Sequence, residues 1–303
     1  MHVTIGGKKG EIDVAVGASD TVGDLRKAYA AVAKKDIHSV ALKHEGDLAS
    51  TVRLDDDAAA LSSVSVKNGT KLMFKDLGPQ IGYRTVFYAE YGGPIVFVAI
   101  MALLRSQVFE LLGFGDVSGF EGMNWVAQLG VYCWTAHFVK RELETAFVHK
   151  FSRPTMPLSN LFKNCTYYWT FGAVIGWPLC SPNYTAPSEN VVMGGLALFI
   201  LSELGNFAIH LKLANMRPGE LSKKRDIPKG FGFDLVACPN YFFEVMSWVG
   251  FSIMTGIVFS WLFTIVGFLQ MADWAMKKHK GYKKTYDKEY TSLKRKAIIP
   301  FIY

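Results

Sequence analysis

Apolar and polar positions alternate in the first part of the chain. Val3 and Ile5, and later Ile12, Val14 and Val16, recur with a period of two, which is typical of half-buried β-strands. The Gly-Lys-Lys-Gly sequence between the two runs predicts a hairpin turn. The chain is therefore expected to begin with two paired strands.

A helix and two more strands are predicted after this hairpin. Ser19 or Asp20 is expected to cap a helix over TVGDLRKAYAAVAKK. Apolar side chains recur at helical spacing in this segment, at Val22, Leu25, Tyr29 and Val32. HSVALKHEG and KNGTKLMFKD predict further strands, the second with an Asn-Gly turn at 68–69. This order over about 75 residues resembles the ubiquitin-like β-grasp fold.

The apolar runs become long enough to cross a bilayer from Tyr83 onward. About 28 uncharged residues separate Glu244 from Asp273, more than the roughly 20 that one crossing needs. Six spans are predicted, near 83–104, 122–139, 164–181, 191–213, 234–253 and 254–276. The expected fold is an α-helical polytopic membrane bundle, 77–303, that follows a ubiquitin-like β-grasp domain, 1–76.

Charge distribution predicts the orientation of this bundle. The chain has a net charge of +7 and is 50% hydrophobic, but residues 1–76 carry about as many acidic as basic side chains. The connections near 140–163 and 212–229 and the tail after 276 are basic, whereas 105–122 is acidic on balance and 181–189 is nearly uncharged. By the positive-inside rule, both termini are expected in the cytosol, and no cleaved signal is expected.

Polar side chains within the predicted spans suggest a functional site. A charged or amide group near the bilayer core is costly unless it faces a partner or a cavity. Seven polar residues in particular need such an explanation, and most of them lie toward the basic ends of their spans: Glu90, His137, Glu203, Asn206, His210, Asn240 and Glu244. They could pair with one another or reach the membrane surface from the span ends, but a polar pocket in the bundle would satisfy all of them.

Cationic residues in the basic connections suggest a polyphosphate ligand. They are Lys140, Arg141, His149, Lys150, Arg153, Arg217, Lys223, Lys224 and Arg225. Attraction to anionic lipid heads would also explain a basic tail. No Gly-rich dinucleotide sequence follows a predicted strand here, and the four cysteines lack the spacing of a zinc site. No metal site is expected.

Five ordered blocks closely resemble the very-long-chain trans-2-enoyl-CoA reductases, within the steroid 5α-reductase family. They include HFVKRELETAFVHKFSRPTMPLSNLFKNCTYYW at 137–169, GNFAIHLKLANMRP at 205–218 and CPNYFFEVMSWVGFSIMT at 238–255. The resemblance implies the last reductive step of microsomal fatty-acid elongation, in which NADPH supplies hydride to C3 of a trans-2-enoyl-CoA. A tyrosine is a suitable donor of the proton that is added at C2.

The resemblance also implies roles for individual residues. Tyr241 matches the proton-donating tyrosine, and Glu90 matches a glutamate beside the reacting group. The cofactor-binding positions fall on His137, Lys140, Arg141, Asn206, His210, Arg217, Asn240, Glu244 and Tyr282. The spacing between His210 and Arg217 differs by one residue from the family pattern, and CPNY replaces a more apolar sequence.

Two other functions stay open at the level of sequence. A steroid or polyprenol reductase would share the fold and cofactor, whereas a ubiquitin-like membrane adaptor would have no activity. The resemblance favours the acyl-CoA substrate, an endoplasmic reticulum membrane location and contact with other enzymes of the elongation complex. A nucleic-acid partner is not expected.

Overall fold

The computed structural model describes residues 1–7, 10–44, 54, 56–217, 219 and 226–303. These residues form two compact units. One comprises 1–83 and 153–160, and the other comprises 84–152 and 161–303. The predicted turn at Lys8 and Lys9 lies outside the described residues.

The first unit contains a four-stranded sheet and one helix. In chain order its elements are β1 (His2–Gly7), β2 (Gly10–Ala15), α1 (Val22–Val32), β3 (Val40–His44) and β4 (Lys71–Asp76). The strand order is β2-β1-β4-β3, with β1 parallel to β4 and antiparallel pairs on either side. All four predicted strands and the helix are confirmed. A separate antiparallel pair, β5 (Gln80–Gly82) and β6 (Thr155–Pro157), was not predicted.

The start of α1 differs from the prediction. Thr21 is the N-cap, and neither Ser19 nor Asp20 takes that role. The Thr21 hydroxyl accepts a hydrogen bond from the Asp24 backbone at 3.2 Å, and the Asp24 carboxylate accepts one from the Thr21 backbone at 3.1 Å. This reciprocal pair is a capping box, which places the cap one residue after Asp20 and two after Ser19. Val22, Leu25 and Tyr29 are buried as predicted, but Val32 is exposed.

The second unit is helical. Its helices are α2 (Tyr83–Leu103), α3 (Arg105–Leu111), α4 (Trp125–Phe147), α5 (Ser159–Cys180), α6 (Glu189–Asn215), α7 (Pro239–Thr255) and α8 (Val258–Thr291). Each of the six predicted spans overlaps one of the long helices, and the short α3 was not predicted. Three of the described helices, α2, α6 and α8, are long and apolar enough to cross a membrane. The chain is thus a mostly helical membrane protein with an N-terminal sheet.

Two glycines allow α6 and α7 to pack closely. A Cβ atom on Gly195 would lie 2.5 Å from the backbone nitrogen of Met254, and one on Gly250 would lie 2.6 Å from that of Phe199. Only hydrogen fits at such a crossing, and small residues serve the same purpose in other membrane helix pairs. This contact holds the polar faces of α6 and α7 at a fixed separation.

Candidate functional site

His137 joins three helices of the helical unit, α4, α6 and α7. Its Nδ1 lies 2.7 Å from Glu203 Oε1 on α6, and its Nε2 lies 3.3 Å from Glu244 Oε1 on α7. The Trp248 indole also donates to Glu244 Oε1 at 3.2 Å. The imidazole is almost fully buried, so both ring nitrogens have partners within the protein.

Lys140 and Asn206 extend this network. The Lys140 ammonium lies 2.7 Å from Glu203 Oε2 and donates to Asn206 Oδ1 at 2.9 Å. The Asn206 side-chain amide nitrogen donates to the backbone carbonyl of Asn240 at 3.0 Å and to Glu244 Oε2 at 3.1 Å. His137, Lys140 and the neighbouring residues of α4 occur at spacings of three and four residues, which place side chains on one helix face.

Arg141 forms the second half of the network. Its guanidinium donates to Glu144 Oε2 at 2.5 Å and to the Tyr91 hydroxyl at 3.2 Å, and it lies 3.1 Å from His210 Nδ1. The guanidinium carbon also lies 5.2 Å from the centre of the Tyr91 ring. A guanidinium that contacts three side chains and lies over an aromatic ring fixes the orientation of the groups around it.

Glu90 immediately precedes Tyr91 in the sequence and is also buried. The Asn164 amide nitrogen donates to Glu90 Oε2 at 2.7 Å, so α2 and α5 contribute to the same interior polar region. Asn164 begins a possible glycosylation sequence, NCT, but its amide is engaged inside the helical unit. An ordered, hydrogen-bonded carboxyl group at Glu90 is suited to orienting another reactive group.

Three of the predicted residues lie apart from the His137 contacts. Tyr241 packs against Trp274, with ring centres 6.2 Å apart. Tyr282 stacks on Tyr290 at 5.1 Å, in an apolar cluster with the start of α7. Arg217 donates to the Lys150 carbonyl, and the Lys150 ammonium donates to the Arg217 carbonyl at 3.0 Å.

The structure does not bring all of the predicted cationic residues together as one charged group. Burial and the positive charge of Arg141 lower the pKa of His149 to about 3, so His149 is neutral near pH 7 and was wrongly counted as a cation. Lys223, Lys224 and Arg225 lie outside the described residues. Arg153 belongs to the other compact unit.

Glu144, His149 and His210 place three possible metal-ligand atoms within 4.8 Å of one another. The Arg141 guanidinium already contacts both the carboxylate and the His210 imidazole. A divalent ion would have to displace this arginine, because the two cations would repel each other at such a distance. The cluster therefore suits an arginine-centred polar site better than a metal centre.

Sequence reasoning missed several participants in the network. In the sequence, Tyr91 and Trp248 cannot be told from ordinary core residues. Only the contact of Tyr91 with Arg141 and that of Trp248 with Glu244 identify them as parts of the network. Glu144 was treated as part of a basic connection, although it follows Arg141 by three residues. That spacing predicts an ion pair on a helix and could have identified it.

The chain is similar to known reductases over most or all of its length. The family described as 3-oxo-5-alpha-steroid 4-dehydrogenase matches residues 154–303. A Trypanosoma brucei brucei protein, provisionally named an enoyl-CoA reductase, is 43% identical over 100% of both chains. A Dictyostelium discoideum protein named very-long-chain enoyl-CoA reductase is 38% identical over 94% of this chain and 93% of its own length. A human protein named trans-2,3-enoyl-CoA reductase-like is 32% identical over 81% of this chain and 68% of its own.

Identity at this level over the whole chain establishes a family relationship, and it agrees with the resemblance found in the sequence blocks. The interior polar network lies on helices that carry those blocks. The chain belongs to the very-long-chain enoyl-CoA reductases, a family of oxidoreductases that act on carbon–carbon double bonds.

Proposed function

We propose that this protein reduces the conjugated double bond of a trans-2-enoyl-CoA with NADPH, as the last step of the very-long-chain fatty-acid elongation cycle. The observation that carries the proposal is the buried polar network of α4, α6 and α7. Seven of its residues are those to which the family resemblance assigns cofactor binding: His137, Lys140, Arg141, Asn206, His210, Asn240 and Glu244.

The donor and acceptor atoms of this network fit a nicotinamide cofactor. Asn240 Oδ1 is buried and has no hydrogen-bond partner among the described residues, and a carboxamide NH₂ group would satisfy it. The network contains three carboxylates, on Glu144, Glu203 and Glu244, but only two cationic side chains, Lys140 and Arg141, so it has no excess of positive charge to attract phosphates. It therefore suits the nicotinamide riboside end of the cofactor, and Lys150 and Arg217 suit the phosphates.

When bound, NADPH supplies the hydride that adds at C3 of the substrate. Negative charge then develops on the thioester oxygen and at C2, so the site needs a hydrogen-bond donor and a proton source. We assign the proton donation to the Tyr241 hydroxyl and a positioning role to the Glu90 carboxyl, which Asn164 holds in place. Tyr282 and Arg217 complete the proposed cofactor site.

The rest of the architecture follows the same proposal. The sheet order β2-β1-β4-β3, with one helix between β2 and β3, supports a ubiquitin-like β-grasp domain at the N-terminus. Six spans would bring the basic connections to the cytosolic side. We place the protein in the endoplasmic reticulum membrane with both termini cytosolic, where other enzymes of the elongation complex can hand over the enoyl-CoA.

The test is NADPH oxidation by the purified full-length protein in detergent, with a trans-2-enoyl-CoA as substrate. We expect saturable oxidation with formation of the saturated acyl-CoA, and weaker activity with NADH. A 3-oxo-4-ene steroid and a polyprenol serve as competing substrates, because the superfamily also contains their reductases. Reduction of either of these in preference to the enoyl-CoA would contradict the proposal.

A further inference from the structure

A cavity of about 360 Å³ lies between the second half of α8 and the segment that follows it. Its volume is within the range of about 300–1,000 Å³ that small-molecule sites occupy. It is distinct from the network around His137. The polar side chains that line it include His279, Lys283, Tyr290, Lys294, Arg295 and Lys296.

The charge of the lining is strongly positive. Lys283, Lys294 and Lys296 are exposed, and none of them forms an ion pair within the described part of the chain. Arg295 is almost fully buried and donates to the Pro228 carbonyl at 2.7 Å. Four cations around one concave surface attract an anion that carries several charges.

The positive charge of Arg295 is only weakly balanced by its described neighbours. Its nearest described carboxylate is that of Asp234, 3.9 Å away and largely exposed, and its buried Nε finds no acceptor among the described residues. Its guanidinium carbon lies 5.9 Å from the centre of the Tyr290 ring. A buried arginine in this state is stabilised when an anion binds nearby.

His279 adds an oriented imidazole to the same cavity. Its Nδ1 lies 2.8 Å from the Tyr290 hydroxyl, so Nε2 is the ring nitrogen that is left for a ligand. Tyr290 also stacks on Tyr282, with ring centres 5.1 Å apart. Lysines, an arginine and an oriented imidazole are the groups that recognise phosphate esters.

The wall of the cavity is bonded directly to the start of α7. The backbone nitrogen of Ala237 donates to the Lys296 carbonyl at 2.8 Å, and that of Cys238 donates to the Ala297 carbonyl at 3.1 Å. The proposed proton donor, Tyr241, lies in the first turn of α7. A ligand in the cavity is therefore next to the helix on which the reaction is proposed to take place.

We propose that this cavity binds the 3′-phosphorylated ADP end of the CoA thioester. This inference rests on the proposed function, which supplies the CoA. CoA carries a phosphate monoester and a diphosphate on one nucleotide, and its pantetheine arm separates them from the thioester. The arm allows the nucleotide to bind the lysines beside α8 while the thioester reaches the start of α7. A lipid headgroup has similar phosphate chemistry, but its binding would not require the cavity to lie beside α7.

The first test is binding of free CoA to the full-length protein in detergent, measured by isothermal titration calorimetry. The variant is Lys283→Ala/Lys296→Ala, and the matched control is Lys280→Ala/Lys284→Ala. The control lysines are exposed on the same helix and do not line the cavity. We expect the variant to weaken CoA binding by about tenfold or more, with less effect on 3′-dephospho-CoA, and the control to bind as the wild type does.

The second test compares an enoyl-CoA with the corresponding enoyl-pantetheine thioester, which lacks the nucleotide. The variant should lower kcat/KM for the enoyl-CoA by about tenfold more than for the pantetheine thioester. Wild-type CoA affinity in the variant overturns the inference, even if the protein is an active reductase. The inference is also overturned if the variant binds only NADPH, or only phosphatidic acid vesicles, more weakly than the wild type does. If the wild type binds CoA and the variant does not, but neither reduces the enoyl-CoA, the cavity assignment stands and the proposed function fails.

Discussion

At the scale of single residues, Tyr241 carries the proposed proton transfer. Tyr241→Phe keeps the ring that packs against Trp274 but removes the hydroxyl proton. We expect NADPH binding to persist while turnover falls by a factor of about 10² to 10⁴, the usual value of general acid catalysis. Single-turnover kinetics with enoyl-CoA measure the loss. Tyr132→Phe on α4, an exposed tyrosine away from the network, is the control, and unchanged turnover in Tyr241→Phe would leave Glu90 or water as the proton source.

Arg141 illustrates a conflict between structural and functional roles. Arg141→Ala would leave the Glu144 carboxylate buried without its closest cation, which typically costs about 3–5 kcal/mol. We therefore expect a lower midpoint of thermal unfolding as well as weaker NADPH binding. Arg217→Ala removes a side chain that contacts the Lys150 carbonyl and should weaken NADPH binding by about tenfold with little change in stability.

Differential scanning fluorimetry and NADPH titration of the two variants separate these effects. The double variant Arg141→Ala/Glu144→Ala removes both charges, so it should recover much of the lost stability but none of the lost NADPH affinity. Equal stability of Arg141→Ala and the wild type would contradict the buried ion pair. Wild-type NADPH affinity in Arg217→Ala would place the phosphates elsewhere, and wild-type NADPH affinity in Arg141→Ala would place the nicotinamide riboside elsewhere.

The site residues that could be predicted from the sequence are charged or amide groups inside apolar runs, such as His137, Asn206 and Glu244. Their cost in a bilayer makes them visible without a structure. Tyr91 and Trp248 could not be predicted, because an aromatic residue in a membrane helix is ordinary until its polar atom has a named partner. The charge of His149 was also out of reach, since it depends on burial beside Arg141.

At the scale of elements, the crossing of α6 and α7 determines the geometry of the site. Gly195→Ala would place a methyl group against the backbone of α7, and overpacking of this kind costs about 1–3 kcal/mol. We expect reduced thermal stability and reduced activity together. Gly194→Ala is the matched control, because its Cβ would meet nothing within 4 Å. Equal effects of the two substitutions would mean that helix flexibility, and not close packing, determines the result.

The capping box of α1 gives a pH-dependent prediction. Hydrogen bonds from the Thr21 side chain and backbone lower the pKa of Asp24 below 3.8, so the stabilisation is present above that pH and is lost as the pH falls through the lowered pKa. Thr21→Ala should cost about 1 kcal/mol and speed amide exchange in α1, measured by mass spectrometry on the full chain. Thr21→Ser retains the hydroxyl and should behave as the wild type does.

Element types were more predictable than element ends. Period-two alternation identified β1 and β2, and apolar length identified the six long helices. The ends depend on local hydrogen bonds that composition does not contain: Thr21 caps α1 through Asp24. Beyond the end of the predicted span at 276, α8 continues, with a kink at Asp287 before its last residue, Thr291. The β5–β6 pair joins residues more than 70 positions apart, and no periodicity within a three-residue strand reveals such a partner.

At the scale of the whole molecule, the proposed active site and the N-terminal sheet belong to different compact units. Among the described residues, the apolar core of the sheet is built from the first 74 positions. All the described residues of the proposed active site lie between 84 and 303, in the helical unit. The first unit also contains 77–83 and 153–160, with β5 paired to β6.

Deletion of residues 1–75 is therefore expected to leave an inserted protein that retains NADPH-dependent reductase activity. The deletion removes the four-stranded sheet but keeps β5, β6 and every helix from α2 to α8. The measurement is specific activity in detergent, normalised to the monodisperse fraction from size exclusion, with Tyr241→Phe in the truncated chain as the background control. A monodisperse truncation with normal helical content and no activity would mean that residues 1–75 take part in the reaction, since the loss could not then be attributed to misfolding of the helices.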